Sequence, residues 1–177
     1  MADIGNSLTK AFDYAHGRLL DRLVGLGDSE YFWEPVPGCW SVRRGADGRW
    51  AMDGGTPAPE PAPVTTIAWR VGHIGIALAG FADSLFGAGT LRPEDLELAP
   101  SAAAVPAFLQ ASYRPWREGI GSVGEPRWWR AIGPAFGPYA EDATADLALH
   151  VFDELVHHAA EVSLLRDLYL RKDQLDR

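Results

Sequence analysis

Residues 144–171 of the chain, "TADLALHVFDELVHHAAEVSLLRDLYLR", contain no glycine or proline. Because a helix advances about 100° per residue, apolar residues three, four and seven positions apart share one face. Six apolar side chains of this stretch fall on one stripe about 80° wide: Leu147, Val151, Leu155, Val162, Leu165 and Tyr169. The stretch therefore predicts a long helix that begins near Thr144 and packs against a core.

Polar side chains lie in and beside this apolar stripe. With Glu154 at the edge of the stripe as the zero of angle, His158 lies at about 40°, inside the stripe. Glu161 lies at about −20°, His150 at about −40° and His157 at about −60°. Of the two adjacent histidines, His158 is therefore predicted to face the core, and His157 to point further out.

The remainder of the chain predicts more helices and long connections. Apolar residues recur at helical spacing in three earlier segments, so that helices are expected over residues 6–26, 65–86, 101–121 and 144–171. Four long helices joined by long loops are typical of a helical bundle. The predicted fold is all-α, a four-helix bundle with long crossover loops, in a single domain over residues 1–177.

The ends of the predicted helices carry cap and breaker residues. Candidate N-caps are Asn6 or Ser7 for the first helix, Thr65 or Thr66 for the second and Ser101 for the third. Gly87 is expected to end the second helix. Pro115, inside the third, predicts a kink or break near Tyr113.

The connection over residues 28–64 differs from the rest of the chain in composition. Its stretch "WEPVPGCWSVRRGADGRWAMDGGTPAPEPAPV" is rich in proline, glycine and aspartate, shows no strand alternation and includes three tryptophans. We expect a long ordered loop, of the kind that is often functional. Trp40, Trp50 and the nearby Trp69 either line a pocket or pack against the core. Cys39, the single cysteine, excludes an internal disulfide and is expected to be a small buried packing residue.

Composition and charge exclude several classes of function. The formal net charge of −8 disfavours nucleic acid and anionic membrane surfaces, since both require a basic face. No window reaches the roughly 18 uninterrupted apolar residues that a membrane span needs, and the N-terminus has no apolar block. We therefore expect a cytoplasmic protein whose partner is a small molecule.

His73, in "WRVGHIGIALAG", lies midway along the second predicted helix. Its helix face carries Trp69 and small or apolar residues, so a cavity can open beside it. A buried carboxylate and imidazole need polar partners. His73, Glu154 and His158 therefore form either a metal-free hydrogen-bonded cluster or a metal site. Nitrogen and carboxylate ligands suit Zn²⁺, and also Ni²⁺, Fe²⁺ or Mn²⁺.

Three motifs resemble one known family. "PGCWSV", "TTIAWRVGHIG" and "DELVHHAAEVSLLRDLY" look like the DinB-like superfamily of metal-dependent four-helix bundles, above all its actinobacterial members and the N-terminal domain of mycothiol-dependent maleylpyruvate isomerase. The resemblance implies a divalent metal held by His73, Glu154 and His158, with glutamate in the first position of the pair as in the isomerase branch. It also implies a low-molecular-weight thiol as co-substrate.

Two functions follow from these observations. The first is a metal-dependent, thiol-using transferase or isomerase that acts on a small molecule, with zinc as the first choice of metal and nickel or iron as alternatives. The second is a non-catalytic bundle that binds a metal or a small ligand. The sequence identifies no catalytic residue beyond the ligands, although His150 and Glu161 are nearby candidates for a base.

The remaining polar residues have simpler interpretations. His150 is a rival metal ligand or a hydrogen-bond partner of one, and Glu161 is expected to orient a ligand imidazole. His16 is expected to be structural or partly exposed. Arg166 and Asp167 are typical of a helix-end ion pair. A second apolar side of the last helix, at Leu149, Phe152 and Val156, indicates either a central position in the bundle or a homodimer interface.

Overall fold

The computed structural model describes residues 3–57 and 59–175. In chain order its elements are α1 (Ile4–Leu23), α2 (Asp28–Tyr31), β1 (Val42–Arg44), β2 (Trp50–Met52), α3 (Ile67–Phe86), α4 (Val105–Gly121), α5 (Glu125–Trp128) and α6 (Thr144–Tyr169). Short 3₁₀ turns occupy residues 93–95, 102–104, 134–139 and 172–174. The predicted all-α four-helix bundle is confirmed, with α1, α3, α4 and α6 as the long helices.

Helix α6 lies between two neighbours. It packs against α3 on one side and against α1 on the other, while α4 completes the bundle against α1 and α3. Phe152 uses the second apolar side of α6, meeting Phe12 of α1 edge to face with ring centroids 5.3 Å apart. The position of α6 between two helices thus explains why most of its second side is apolar, although Leu149 of that side is exposed. The homodimer stays a prediction.

Large aromatic side chains pack in and around the core, and at two points they leave no space for a side chain on the facing helix. Trp116 and Trp128 are completely buried. Gly75 of α3 faces Phe108, where an added Cβ would lie 2.2 Å from the ring, and Gly119 of α4 faces Phe86 at 2.1 Å. Glycine therefore permits α3 and α4 to approach closely at two points.

The helix ends differ in part from expectation. Asp3, not Asn6 or Ser7, caps α1 by accepting a hydrogen bond from the Gly5 amide. Thr66 caps α3 through its hydroxyl, and Gly87 ends that helix, as predicted. The Ser101 side chain makes no capping bond, and a 3₁₀ turn separates it from α4.

Of the kink or break predicted near Tyr113, the break is wrong, because α4 runs continuously from Val105 to Gly121. The kink stays a prediction. Proline removes the hydrogen bond to the carbonyl four residues earlier. Both Pro115 and Ala111, whose carbonyl is freed, are exposed. Water can therefore replace the missing donor, and the helix continues.

In its described residues, 28–57 and 59–64, the connection contains elements that the sequence did not indicate. Besides α2, it forms an antiparallel hairpin in which Val42 pairs with Met52 and Arg44 with Trp50. Strands of three residues are too short for alternation to show, which is why the expectation of a loop without strands was wrong. Backbone hydrogen bonds between Trp40 and residues 64 and 66 fasten the connection to the start of α3.

A buried ion pair ties α6 to α2. Arg166 Nε lies 2.8 Å from Glu30 Oε1, and both side chains are almost fully buried. The same guanidinium donates to the carbonyls of Arg22 and Val24 at the end of α1. Asp167 pairs with Arg22 instead. Arg166 and Asp167, which are typical of a helix-end ion pair, thus each form an ion pair with another helix. Arg166 pairs with α2, and Asp167 pairs with α1.

Removing one partner of the buried pair should destabilise the fold. We expect Arg166→Met to lower the free energy of unfolding by about 3–5 kcal/mol, because the Glu30 carboxylate would remain buried and unpaired. Urea denaturation followed by circular dichroism measures the change. The double variant Arg166→Met/Glu30→Leu should recover much of the loss, and a double variant no more stable than the single one would contradict this interpretation.

His16 provides a test of stability against pH. The side chain is buried, its ring stacks on Tyr113 at 4.1 Å, and burial lowers its pKa, although the nearby Asp13 opposes the shift. Between the lowered pKa and the ordinary value of about 6.5, the unfolded chain binds more protons than the folded one. Stability should therefore fall as pH drops below about 6.5, by at most about 1.4 kcal/mol per pH unit.

The comparison of wild type with His16→Gln isolates this contribution, because other titrating groups are common to both. Urea denaturation from pH 7.5 to 5 should show wild type losing stability relative to the variant as pH falls. A constant difference across this range would contradict the lowered pKa.

Candidate metal centre

The structure brings His73, Glu154 and His158 together. His73 projects from α3, and Glu154 and His158 lie one turn apart on the facing side of α6. Glu154 Oε2 is 3.0 Å from His73 Nε2 and 3.3 Å from His158 Nε2. One ligand atom from each residue lies within 4.8 Å of the others. The two imidazole rings meet edge to face at 4.6 Å.

The three residues differ in exposure. The His158 side chain is 10% exposed, whereas Glu154 is 29% and His73 is 34% exposed. One side of the trio is therefore closed by the core, and the other is open to solvent. An ion held there would be reachable by a small molecule from the open side.

The His158 ring has a carboxylate at each nitrogen. Nδ1 lies 2.6 Å from Glu161 Oε2, and Nε2 lies 3.3 Å from Glu154 Oε2. Burial lowers the pKa of His158, and the neighbouring His73 and Arg70 lower it further, while the hydrogen bond to Glu161 acts in the opposite direction. A neutral imidazole has a single proton for these two carboxylates. One contact must then set a nitrogen lone pair against a carboxylate oxygen unless a cation lies between them.

The short contact indicates which nitrogen holds the proton. At 2.6 Å, the Nδ1–H group donates to Glu161, and the lone pair of Nε2 then faces Glu154 and His73. Arg70 Nη1 is also 3.1 Å from His158 Nδ1, but a protonated nitrogen cannot accept its hydrogen bond. Arg70 instead forms an ion pair with Glu161, with Nε 3.0 Å from Oε2.

Glu154 is held in its charged form. Burial alone would raise its pKa, but the hydrogen bond with His73 and the charges of the surrounding histidines outweigh burial and lower the pKa overall. The carboxylate is therefore ionised at neutral pH. An ionised carboxylate beside two imidazole nitrogens is a donor set that suits divalent transition metals.

Trp69 fixes the plane of the His73 ring. The two rings stack with centroids 5.2 Å apart and planes within 6°. The indole Nε1–H of Trp69 donates to the Asp53 carbonyl. The ring of Trp40 packs against the ring of Trp69, with centroids 5.9 Å apart. The connection over residues 28–64 thus borders the site through Trp40 and Asp53. Trp50 stacks on Phe32 and takes a packing role.

Other candidates lie apart from the trio or have competing partners. His150 is exposed and meets Phe81 edge to face at 5.6 Å. His157, His158 and Glu161 form a second set whose ligand atoms lie within 4.8 Å, which the sequence did not predict. The ion pair from Arg70 to Glu161 opposes a cation in that second set. Cys39 is buried, as expected.

Arg70 is the contributor to this site that sequence reasoning missed. It lies three positions before His73 on α3, and this i, i+3 spacing on one helix face is the signal that could have identified it. Its guanidinium also lies over the Trp69 ring at 5.0 Å from the centroid.

The bundle and its histidine–carboxylate trio define a helical protein with a candidate metal site on facing helices. Residues 11–162 match the DinB superfamily. The chain therefore belongs to this superfamily, whose members generally bind metal ions. No characterised protein and no solved structure shows a significant match to the chain. Among the described residues, no helix is long and apolar enough to cross a membrane.

Proposed function

We propose that the protein is a metal-dependent enzyme that uses a small thiol, a transferase or isomerase of the mycothiol-dependent type, with the metal held by His73, Glu154 and His158. The observation that carries this proposal is the position of the His158 ring, with a carboxylate oxygen close to each of its two nitrogens. A cation at Nε2 removes the unfavourable contact with Glu154 and leaves the Nδ1 proton with Glu161.

The donor set fits a divalent metal. Ligand atoms about 2.1 Å from a tetrahedral zinc ion lie about 3.4 Å from one another. The separations of 3.0 and 3.3 Å from Glu154 Oε2 to the two imidazole nitrogens are close to that value. We propose zinc first, with nickel or iron as alternatives, since all three accept imidazole and carboxylate ligands.

The neighbouring residues prepare the ligands. Glu161 holds the proton of His158 on Nδ1, which leaves Nε2 free to bind, and Arg70 balances the charge of Glu161. Stacking on Trp69 holds the ring of His73 in plane. Such outer partners fix the orientation of metal ligands and tune their basicity.

Three protein ligands leave a coordination position open, as in catalytic rather than structural sites. When bound, the metal would lower the pKa of a thiol in that position and supply a thiolate nucleophile at neutral pH. The exposed side of His73 and Glu154 supports access for such a thiol. His150, one turn before Glu154 on α6, is a candidate group for proton transfer. The thiol and its acceptor belong to the proposal.

Metal content gives the first test. Protein purified without an affinity tag or chelator should contain close to one equivalent of zinc, nickel or iron by elemental analysis. His73→Ala and His158→Ala should each lose it, because two ligands are too few to retain the ion. His157→Ala, which removes the adjacent but exposed imidazole, is the matched control and should keep the metal.

Two results would contradict this assignment. Absence of metal from wild type even after reconstitution would mean that the trio is a metal-free hydrogen-bonded cluster. Loss of metal from His157→Ala but not from His73→Ala would mean that the ligands are His157, His158 and Glu161. Metal binding without turnover of any thiol and electrophile would leave the non-catalytic bundle as the function.

The role of Glu161 gives a second, quantitative prediction. Glu161→Gln should weaken metal affinity by about 10- to 100-fold, because the amide no longer fixes the proton of His158 on Nδ1. Competition with a coloured chelator measures the affinity. Glu118→Gln, on the exposed surface of α4, is the control for the change of charge. Equal metal affinities for the two variants would show that Glu161 does not contribute to metal binding.

A further inference from the structure

A pocket lies further along the α3–α6 contact from the connection over residues 28–64, and His150 of its lining is one turn of α6 from Glu154. The pocket has a volume of about 280 Å³ and lies between α3, α6 and residues 131–142. Its floor and walls are apolar and mostly aromatic: Phe81, Ile132, Phe136, Tyr139 and Leu147. Neither the four helices nor the metal ligands require an aromatic pocket at this place.

The wall formed by residues 131–142 is held in shape by its own backbone. Its two ends are joined by a bridge between Ala131 and Ala143, and the Ile132 amide donates to the Asp142 carbonyl at 2.9 Å. Gly133 and Gly137, with φ of 96° and 56°, provide the turns that bring Phe136 and Tyr139 to one side. The pocket is therefore formed without a ligand or a metal.

The rim of the pocket is acidic. Asp142 and Asp146 line it together with His150, and both aspartates are exposed. Asp146 Oδ2 accepts the Ala143 amide, which leaves the other oxygen free to face a ligand. None of the described residues that line the pocket is a lysine or an arginine. Negative charge above an aromatic floor is complementary to a cationic group, which both carboxylates and aromatic ring faces attract.

His150 connects this pocket to the metal centre. Its ring meets Phe81 at 5.6 Å in the pocket, and Glu154 follows it by one turn of α6, a rise of about 6 Å. The pocket and the trio are therefore neighbours along α6. The volume of 280 Å³ is at the lower limit for small-molecule sites, which favours a single ring over a fused or extended ligand.

We propose that this pocket binds a small aromatic cation, a single ring that carries an amine or amidine, with the ring against Phe81 and Phe136 and the positive group at Asp142 and Asp146. This rests on the proposed function in one respect: the bound molecule is the substrate presented to the metal centre. Binding itself requires only the pocket, so the two proposals can fail separately.

The test uses benzamidine as the probe and benzoate, of the same ring and opposite charge, as its counterpart. Isothermal titration calorimetry on the full chain, both chelator-treated and zinc-loaded, should show binding of benzamidine in both forms and no binding of benzoate. Asp142→Asn should weaken benzamidine binding by about tenfold through loss of a charge-assisted contact. Asp153→Asn, an equal change of charge on the exposed side of α6, should leave the affinity unchanged.

Phe136→Ala provides a second variant that removes the aromatic wall without changing charge, and it should weaken benzamidine binding as well. Equal affinities for benzamidine and benzoate would overturn the proposal, as would equal weakening by Asp142→Asn and Asp153→Asn. If protein that retains metal does not bind benzamidine, the proposal for the pocket is overturned and the proposal for the metal centre is unaffected. Binding of benzamidine by protein that never takes up metal would support the pocket and contradict the metal centre.

Discussion

The His158 side chain lies between the carboxylates of Glu154 and Glu161, and burial keeps its ring neutral near pH 7 by lowering its pKa. The other polar contacts of the cluster are arranged around this ring, whose Nδ1 proton is donated to Glu161 and whose Nε2 lone pair faces Glu154. Glu161 forms an ion pair with Arg70, and Glu154 contacts His73. The contact of Nε2 with Glu154 sets a nitrogen lone pair against a carboxylate oxygen. The same arrangement that would be unfavourable without a cation is suited to holding one.

The scaffold places this cluster on two of its longest helices. His73 and the two residues of α6 come from helices that each run for twenty residues or more. The ends of α6 are fixed separately, by the backbone bridge near Ala143 at its start and by the pair of Arg166 with Glu30 towards its end. Rigid support of this kind matters because metal ligands must be positioned to within a fraction of an ångström.

Helical periodicity predicted the directions of the two adjacent histidines, since His158 is buried and His157 is exposed. The meeting of His73 with Glu154 and His158 was a hypothesis from the sequence, because angles around one helix do not state which side chains of another helix it faces. Arg70 was missed because a charged residue beside an apolar face is usually interpreted as solvated, and only the structure shows its contact with Glu161. The hairpin at residues 42–52 escaped detection because strands of three residues carry no readable period. The break near Pro115 was wrongly predicted because the free energy that proline costs inside a helix depends on whether water reaches the Ala111 carbonyl. The sequence does not state this.

The pocket at residues 131–142 could not have been predicted for a related reason. Its aromatic residues belong to an irregular segment whose course depends on two glycines with positive φ and on a backbone bridge to the start of α6. No periodic pattern relates Phe136 or Tyr139 to Phe81. Their meeting is a property of the tertiary structure.

The close contacts of Gly75 with Phe108 and of Gly119 with Phe86 have an effect beyond packing density. Gly75 is two positions from His73 and therefore lies about 160° around the axis of α3, on the side away from α6. Phe108 inserts where a side chain would be, so α3 cannot turn about its own axis without a clash. Helix α4 contributes no residue to the trio, yet it determines the direction in which His73 points. A glycine on the far side of α3 thus contributes to the position of a side chain of the candidate metal site.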